Sequence, residues 1–259
     1  MKPNTKLSVD TVLDRFFEQS IQQASAIDPS YERLWSCLNS LIQSGGKRLR
    51  PQMVLLAYQA FGGDEPELVT PIAAAHELLH LSLLIHDDII DRDYTRYGVA
   101  NIAGQYKINY SQFISSEESL THYAHSAAIL AGDLMLSGAH QLIASSNLPS
   151  EAIAIAQSQL SSGIFEVAGG ELLDTELSFT PYRKGGALKV ATYKTASYSF
   201  ISPLLTGAKL AGVDDDQQVV LREYATTLGT AYQLADDLLS VFGNQQQTGK
   251  STTSDITEG

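Results

Sequence analysis

The feature that most constrains the fold is an apolar helical segment that ends in a cluster of carboxylates. From residue 71 to about residue 91 the sequence is apolar on most sides of a helix, which is typical of a buried central helix. Thr70-Pro71 predicts where this helix begins, with threonine as the N-cap and proline at the first helical position. The sequence therefore predicts a core helix whose polar groups lie at one end.

Helical periodicity continues along the rest of the chain, and strand-like alternation never runs longer than a few residues. The other predicted helices cover, approximately, residues 12–24, 31–44, 51–61, 122–145, 149–177, 186–211 and 214–242. The polar segment from about 92 to 121 predicts a long loop or lid with at most a short helix. With no repeat and no linker-like stretch, we predict an all-α protein of one domain over residues 1–259.

The amino-acid composition limits the kinds of binding partner and the cellular compartment that we expect for this chain. Apolar residues make up 44% of the 259 residues, enough for a sizeable core, and 29 acidic against 17 basic residues give a net charge of −12. This acidity argues against a nucleic-acid partner, which requires a basic face. The one cysteine, Cys37, excludes an internal disulfide and fits a reducing compartment, so we predict a cytoplasmic protein. The most apolar window, residues 78–90, contains two histidines and two aspartates, and we predict no integral membrane segment.

Two pairs of aspartates close long apolar helices. Asp87 and Asp91 are four residues apart, so their carboxylates share one helix face, about 5–6 Å apart, where they repel each other. A hard divalent cation resolves that repulsion, because Mg²⁺ takes oxygen ligands from one or two carboxylates and from substrate phosphates. Asp236 and Asp237 form the second pair. One such pair could be a solvated helix end, but two pairs at the ends of apolar helices favour metal binding.

Basic residues occur in three further segments. The segment GGKRLRP (45–51) has three positive charges where a helix begins, which is a natural anion site. Lys194-Thr195 interrupts an apolar helix, and Lys250 follows the second aspartate pair. Each alone is typical of a solvated base, but together with two acidic pairs they indicate diphosphate chemistry.

Six segments together resemble the trans-prenyltransferase family, the polyprenyl and geranylgeranyl diphosphate synthases. They are GGKRLRP (45–51), HLSLLIHDDIID (80–91), ILAGDLML (129–136), YKTASYSFISP (193–203), YQLADDLL (232–239) and VFGNQQQTGK (241–250). The resemblance covers the chain from about residue 40 to its end. It implies a single large helical bundle of the isoprenoid synthase type with a central active-site cavity, and a homodimer. It also implies a prenyltransferase that condenses isopentenyl diphosphate with an allylic diphosphate.

The resemblance also implies a role for individual residues. Asp87, Asp91 and Asp236 would bind two or three Mg²⁺ ions, with Asp88 supporting the first pair. Thr195 and Gln233 would direct oxygen atoms towards the developing allylic cation. The allylic diphosphate would be held by Arg96, Lys194 and Lys250, isopentenyl diphosphate by Lys47, Arg50 and His80, and Asp237 would also contact substrate.

Product length is predicted from the helix that precedes Asp87. Each helical turn advances about 5.4 Å, close to one isoprene unit, so residues one turn and more before Asp87 are candidate floors of the product tunnel. These candidates are Leu83, Ser82 and Leu79. In the resembling family, bulky aromatic residues four or five positions before this aspartate restrict the product to about fifteen carbons. Because Ser82 is small and Leu83 is not aromatic, we predict a product of twenty carbons or longer.

Four features depart from the family pattern. Tyr97 stands where a second arginine is usual, which would weaken or rebuild the isopentenyl diphosphate subsite, and Ser240 replaces an aspartate in the second cluster. The connection over residues 99–121 is longer than usual, and the chain stops at Gly259, before the C-terminal helices that the family normally has. Ser240 leaves open a class I terpene cyclase, which Lys47, Arg50 and His80 argue against, since a cyclase has no second diphosphate to bind. A partner subunit of a heteromeric polyprenyl synthase is a further alternative, although such subunits tend to lose their aspartate clusters.

Overall fold

The computed structural model describes residues 4–96, 98–181 and 184–242, which form two compact units. The first unit contains the described residues up to Gln52 together with 67–147, and the second contains 53–66 and the described residues from Leu148 onwards. Helices dominate both units, which confirms the prediction of an all-α fold. The single domain over residues 1–259 and its central cavity stay predictions.

The first unit is built from helices around a short hairpin. The helices are α1 (Asn4–Ser25), α2 (Pro29–Gln43), the start of α3 (Leu49–Ala60), almost all of α4 (Pro66–Ile90), α5 (Ile102–Tyr110) and α6 (Glu117–Ala144). The hairpin, between α4 and α5, pairs β1 (Thr95–Arg96) with β2 (Val99–Ala100) in antiparallel register. Helix α1 packs on α2 through edge-on rings of Phe16, Phe17 and Trp35, and α5 packs on α6 and α2.

Helix α4 is the predicted core helix, and most of its residues between Ile72 and Leu79 are completely buried. Its beginning was predicted wrongly, because the helix starts at Pro66 and Pro71 lies inside it. A proline at the first position is tolerated, since the first amide groups of a helix have no internal acceptor. Pro71 forfeits one bond to the carbonyl of Glu67, and burial of the apolar residues that follow offsets that loss.

The segment predicted as a long loop or lid is mostly regular structure. After the hairpin, Asn101 caps α5, because its Oδ1 accepts the backbone amide of Gly104 at 2.9 Å. Ile102, Ala103 and Tyr106 are buried, so α5 belongs to the core of the first unit. Of the predicted loop or lid with a short helix, only the short helix is confirmed. The polar residues of this segment stabilise a helix cap and a hairpin instead of an open loop.

The second unit contains the remainder of α3 and the later helices. These are α7 (Ser150–Phe179), α8 (Gly186–Val190), a π-helix (Ala191–Ile201), α9 (Ser202–Leu210) and α10 (Asp215–Phe242). The helix predicted over 186–211 is therefore interrupted by π-helical turns. The π-helix packs on α7 and on α10, and a glycine lies at each contact. A Cβ on Gly170 would lie 2.2 Å from the backbone nitrogen of Lys194, and one on Gly229 would lie 2.5 Å from Cβ of Ala196.

Two helices, α4 and α6, are long and apolar enough to cross a membrane when only length and composition are considered. In α4, however, 72% of the apolar window is buried inside the fold, as in a core helix, and in α6 the share is 44%. Length and composition alone do not exclude α4 as a membrane span. The prediction of no integral membrane segment therefore depends on burial.

Candidate active site

The first aspartate cluster lies at the C-terminal end of α4. The backbone amide of Asp91 donates to the carbonyl of Asp87 at 2.8 Å, so Asp91 continues the last turn of the helix. The side chain of Asp87 is partly buried and that of Asp91 is exposed. The structure thus places these two carboxylates one turn apart at the end of a buried helix, as the spacing predicts.

Asp88, between them, has a different environment. It is 3% exposed, and Arg96 on β1 donates to its Oδ1 through Nε at 2.7 Å and Nη2 at 2.5 Å. Burial raises the pKa of Asp88 to about 6, although Arg96 acts in the opposite direction. Nη2 of Arg96 also lies 3.4 Å from Oδ2 of Asp87. Arg96 therefore fastens the hairpin to the end of α4, and Asp88 supports the cluster from inside.

The predicted isopentenyl diphosphate residues lie in the same unit. Lys47 is exposed, Arg50 is partly buried, and His80 lies on α4. Burial lowers the pKa of His80 well below its usual value, and the nearby charges of Arg50, Arg96 and Arg48 lower it further. Arg50 and Arg96 therefore both act on His80, so the first unit brings the turn after α2 and the hairpin to one region of α4.

In this region the sequence analysis missed one residue, His76, and misinterpreted another, Arg48. His76, one turn before His80, is buried, and burial followed by the charge of Arg50 lowers its pKa to about 3. The spacing of four between the two histidines was the available signal. Arg48 was counted among the charges of an anion site, but it is 7% exposed and paired with Asp10 and Glu77. That part of the interpretation is wrong, since the guanidinium is already neutralised inside the protein.

The second aspartate cluster lies on α10, in the second unit. Thr195 on the π-helix donates its hydroxyl to Oε1 of Gln233 at 2.6 Å, and Nε2 of Gln233 donates to Oδ1 of Asp237 at 2.6 Å. Asp236 is partly buried and Asp237 is exposed. The structure thus links Thr195, Gln233 and Asp237 in one chain of hydrogen bonds.

Lys194 is held by two acids of α7 that sequence reasoning missed. Its Nζ lies 3.0 Å from Oε2 of Glu171 and 2.6 Å from Oδ2 of Asp174. The sequence contained a signal for this contact. Glu171 and Asp174 are three residues apart, so they share a helix face, and they follow Gly170, which packs closely against the π-helix. The side chain of Lys194 thus contacts α7, whereas that of the adjacent Thr195 contacts α10.

The remaining site predictions are located as follows. Leu79 and Ser82 on α4 are buried, at 0% and 1% exposure, and Leu83 is partly buried. Their place along a product tunnel stays a prediction. Tyr97 and Lys250 lie outside the described residues, so the predicted roles of both also stay predictions.

The donor set at the end of α4 fits a magnesium ion. Asp87 and Asp91 offer carboxylate oxygens on one side of the helix, and Mg²⁺ usually binds through one or two carboxylates, with the other positions taken by water and phosphate oxygens. Within residues 4–96, 98–181 and 184–242, no group of three or more His, Cys, Asp or Glu side chains forms an all-protein metal cage.

Comparison with known proteins assigns the family. The family model for polyprenyl synthetase matches residues 31–259. The chain belongs to this family. It is 31% identical over 254 residues to geranylgeranyl diphosphate synthase of Sulfolobus acidocaldarius, covering 95% of this chain and 71% of that protein. It is 32% identical over 244 residues to (2E,6E)-farnesyl diphosphate synthase of Mycobacterium tuberculosis, covering 91% of this chain and 62% of that protein.

The structural comparison agrees. The chain superposes with a TM-score of 0.90 on geranylgeranyl pyrophosphate synthase from Corynebacterium glutamicum, crystallised with isoprenyl diphosphate and magnesium. The two are 32% identical, and the match covers 98% of this chain and 72% of that one. The predictions of the trans-prenyltransferase family and of a prenyltransferase enzyme are therefore confirmed at the level of the family. The chain spans less than two thirds of the mycobacterial relative.

Proposed function

We propose that this polyprenyl synthetase family member condenses isopentenyl diphosphate with an allylic diphosphate and depends on Mg²⁺. The observation that carries the proposal is the arrangement in the first unit. Arg96 binds the aspartate cluster and also acts on His80, next to Arg50. Carboxylates suited to a cation and bases suited to a second diphosphate thus occur around one stretch of α4.

The chain's own residues supply three functions in this reaction. Lys47, Arg50 and His80 bind the diphosphate of isopentenyl diphosphate and orient its double bond. Arg96, in the first unit, binds the allylic diphosphate and stabilises the negative charge that develops as its C–O bond breaks. Lys194, in the second unit, is likewise a base suited to a diphosphate. Each base is held by carboxylates of its own unit, so it is pre-oriented rather than free to rotate.

The Thr195–Gln233 hydrogen bond fixes oxygen atoms that can stabilise a positive charge. The hydroxyl hydrogen of Thr195 is donated to Gln233, which leaves the hydroxyl lone pairs available to face the allylic cation. Asp87 and Asp91 would hold Mg²⁺, which would supply Lewis-acid stabilisation of the diphosphate leaving group. Asp236, in the second unit, would offer a further carboxylate for Mg²⁺. The corynebacterial relative crystallised with isoprenyl diphosphate and magnesium supports this choice of cation.

We further propose a product of twenty carbons or longer, geranylgeranyl diphosphate being the shortest. Ser82 is small and Leu79 and Leu83 are not aromatic, so no ring on this stretch of α4 closes a tunnel after three isoprene units. The similar proteins include both geranylgeranyl and farnesyl diphosphate synthases, so similarity alone does not fix the length.

A homodimer and a cytoplasmic location complete the proposal. Phe165, Leu172 and Phe179 follow at intervals of seven along α7, so they lie on one side of that helix, and they are 83%, 70% and 83% exposed. Such a stripe supports a protein–protein contact, here with a second copy. The cytoplasm is supported by the single cysteine, Cys37, which is a buried free thiol.

The test is mass spectrometry of products made by the purified chain from isopentenyl diphosphate and each of three allylic primers, of five, ten and fifteen carbons. The proposal requires prenyl diphosphates of twenty carbons or longer with Mg²⁺ and none with EDTA. Cyclised hydrocarbon made from an allylic diphosphate alone would identify a terpene cyclase. Activity that appears only after a second, different subunit is added would identify the partner-subunit alternative.

A further inference from the structure

Arg48 differs from the two bases beside it. In the segment Lys47-Arg48-Leu49-Arg50, Lys47 is exposed and Arg50 is partly buried, whereas Arg48 is only 7% exposed. A base that bound substrate directly would keep its guanidinium at the surface of a cleft. Arg48 instead has its charge inside the first unit.

The guanidinium of Arg48 joins three separate parts of the first unit. Nε donates to Oδ1 of Asp10 on α1 at 2.9 Å, and Nη1 donates to Oε1 of Glu77 on α4 at 3.0 Å. Nη1 also donates to the carbonyl of Gly45 at 3.1 Å, and Nη2 to that of Ile42 at 3.0 Å. The side chain thus fastens the end of α2 and the following turn to both α1 and α4.

The backbone of the turn is shaped around this side chain. Arg48 itself has a φ of 52°, in the left-handed region that non-glycine residues rarely occupy. Gly46 has a φ of 120°, and a Cβ there would lie 2.7 Å from Nη1 of Arg48. The turn therefore keeps an unfavourable backbone conformation and a glycine so that the guanidinium can reach both acids.

We propose that Arg48 is a positioning residue for the isopentenyl diphosphate subsite, and that Asp10 and Glu77 hold it in place. This inference rests on the proposed function. Arg48 lies between Lys47 and Arg50 in the chain, so its anchors fix the backbone from which both side chains project. Glu77 lies three residues before His80 on α4, so the same anchor sets the turn relative to the histidine of this subsite.

The consequence is a selective effect on one substrate. Loosening the Arg48 anchor displaces the bases that bind isopentenyl diphosphate, but it leaves Asp87, Asp91 and Arg96, at the C-terminal end of α4, in place. The KM for isopentenyl diphosphate should therefore rise, while kcat and the KM for the allylic diphosphate stay within about twofold. A merely structural role would change both KM values, or would only lower the amount of folded protein.

The experiment compares Asp10→Ala with Asp14→Ala. Both acids lie on α1, one turn apart, and both bind another element, because Oδ1 of Asp14 accepts Nε2 of Gln43 at 2.7 Å. Only Asp10 contacts Arg48. Asp10→Ala should raise the KM for isopentenyl diphosphate about three- to tenfold, as expected for loss of one hydrogen bond, and Asp14→Ala should leave it unchanged.

Arg48→Lys is the second variant, since it keeps the charge but loses the multiple donors of the guanidinium. It should raise the same KM by a similar factor. If Arg48→Lys does not fold, as judged by circular dichroism, Asp10→Ala still decides, because Asp10 is partly exposed and not required by the core. Equal effects of Asp10→Ala and Asp14→Ala, or equal rises in both KM values, would overturn the positioning role. A wild-type chain that makes no product from isopentenyl diphosphate would overturn the proposed function and this inference with it.

Discussion

Three carboxylates within five residues have three different environments at the end of α4. Asp91 is exposed, Asp87 is partly buried, and Asp88 is buried against Arg96. The pattern of aspartates in the sequence does not distinguish them, because all three follow the same apolar run. The hairpin that carries Arg96 makes the difference, and it is formed by residues that the sequence pattern presents as a polar loop.

Removing a carboxylate that we propose to bind Mg²⁺ should abolish activity without unfolding the protein. We expect Asp87→Asn and Asp91→Asn each to lower kcat by at least about a hundredfold, since electrostatic stabilisation of a leaving group contributes several kcal/mol. Asp93→Asn is the matched control, because its exposed side chain lies only two residues further on. Near-normal turnover of either variant at saturating Mg²⁺, with an unchanged circular dichroism spectrum, would show that the metal assignment is wrong.

The buried histidine His76 should make stability depend on acid. Its folded pKa of about 3 lies below the ordinary value of 6.5, so its contribution is fully present above pH 6.5 and is lost as the pH falls towards 3. Between pH 7 and pH 5 the wild type should lose about 2 kcal/mol relative to His76→Gln in urea unfolding. The comparison with the variant is needed because Asp88 acts in the opposite direction. Its folded pKa of about 6 is raised above the ordinary value, so its protonation stabilises the fold as the pH falls over the same range.

His122→Gln serves as the control for this measurement, since the imidazole of His122 is exposed on α6. Its unfolding free energy should follow that of the wild type at both pH values. If His76→Gln also follows the wild type, then His76 does not remain neutral in the folded protein below pH 6.5.

At the scale of elements, the π-helix is held where two glycines allow close packing. Gly170 on α7 and Gly229 on α10 each leave room that a Cβ would fill. The apolar and small residues of this stretch predict a helix, but they do not distinguish α-helical from π-helical turns. The wider π-helical turns require i→i+5 bonds such as that from the amide of Ser202 to the carbonyl of Ser197.

Adding a methyl group at Gly170 should therefore be costly. Gly170→Ala would place Cβ 2.2 Å from the amide nitrogen of Lys194, and we expect a loss of about 1–3 kcal/mol in unfolding free energy. At the adjacent Gly169 a Cβ would meet nothing within 4 Å, so Gly169→Ala should stabilise by about 0.5–1 kcal/mol. Urea denaturation of the two variants measures both, and equal effects would contradict the close packing of α7 and the π-helix.

The prediction that residues of α4 determine product length can be tested by substitution. If Ser82 lines the tunnel, Ser82→Phe should shift the products towards fifteen carbons while activity survives, as mass spectrometry would detect. Ser82→Ala, which leaves the site small, should not change the product distribution. Ser82 is 1% exposed, so the added ring is also expected to cost about 1–3 kcal/mol of stability. A folded, active Ser82→Phe variant with unchanged products would place the floor of the tunnel elsewhere.

At the scale of the whole molecule, the sequence predicts the helical class and the family correctly, because long amphipathic segments and spaced charged motifs are local features. For the same reason it predicts that Asp87 and Asp91 lie one turn apart at the end of a buried helix, whereas their role in binding metal stays a prediction. It does not predict the partners of Arg48, Lys194 and Asp88, since these contacts join residues 8 to 38 positions apart. Such pairings depend on how helices pack, which a local pattern does not specify.

The proposed homodimer can be tested through the exposed stripe on α7. Phe165→Asp should convert a dimer to a monomer, measured as a halved mass by light scattering after size exclusion, because a charge in an apolar interface is costly to bury. Ile27→Asp is the control, since Ile27 is 73% exposed after the end of α1. A monomeric wild type, or a Phe165→Asp variant with the wild-type mass, would contradict the proposal.

The π-helix also affects how alignments of this family are interpreted. A π-helical turn contains an extra residue relative to α-helical winding, and removing one residue from an α-helix rotates everything after it by about 100°. Lys194 and Thr195, whose side chains contact different helices, both lie within such turns. A relative that lacks one residue between 191 and 201 could therefore keep both letters in an alignment and still lose the geometry they provide. Insertions and deletions in this stretch deserve as much weight as substitutions when such chains are compared.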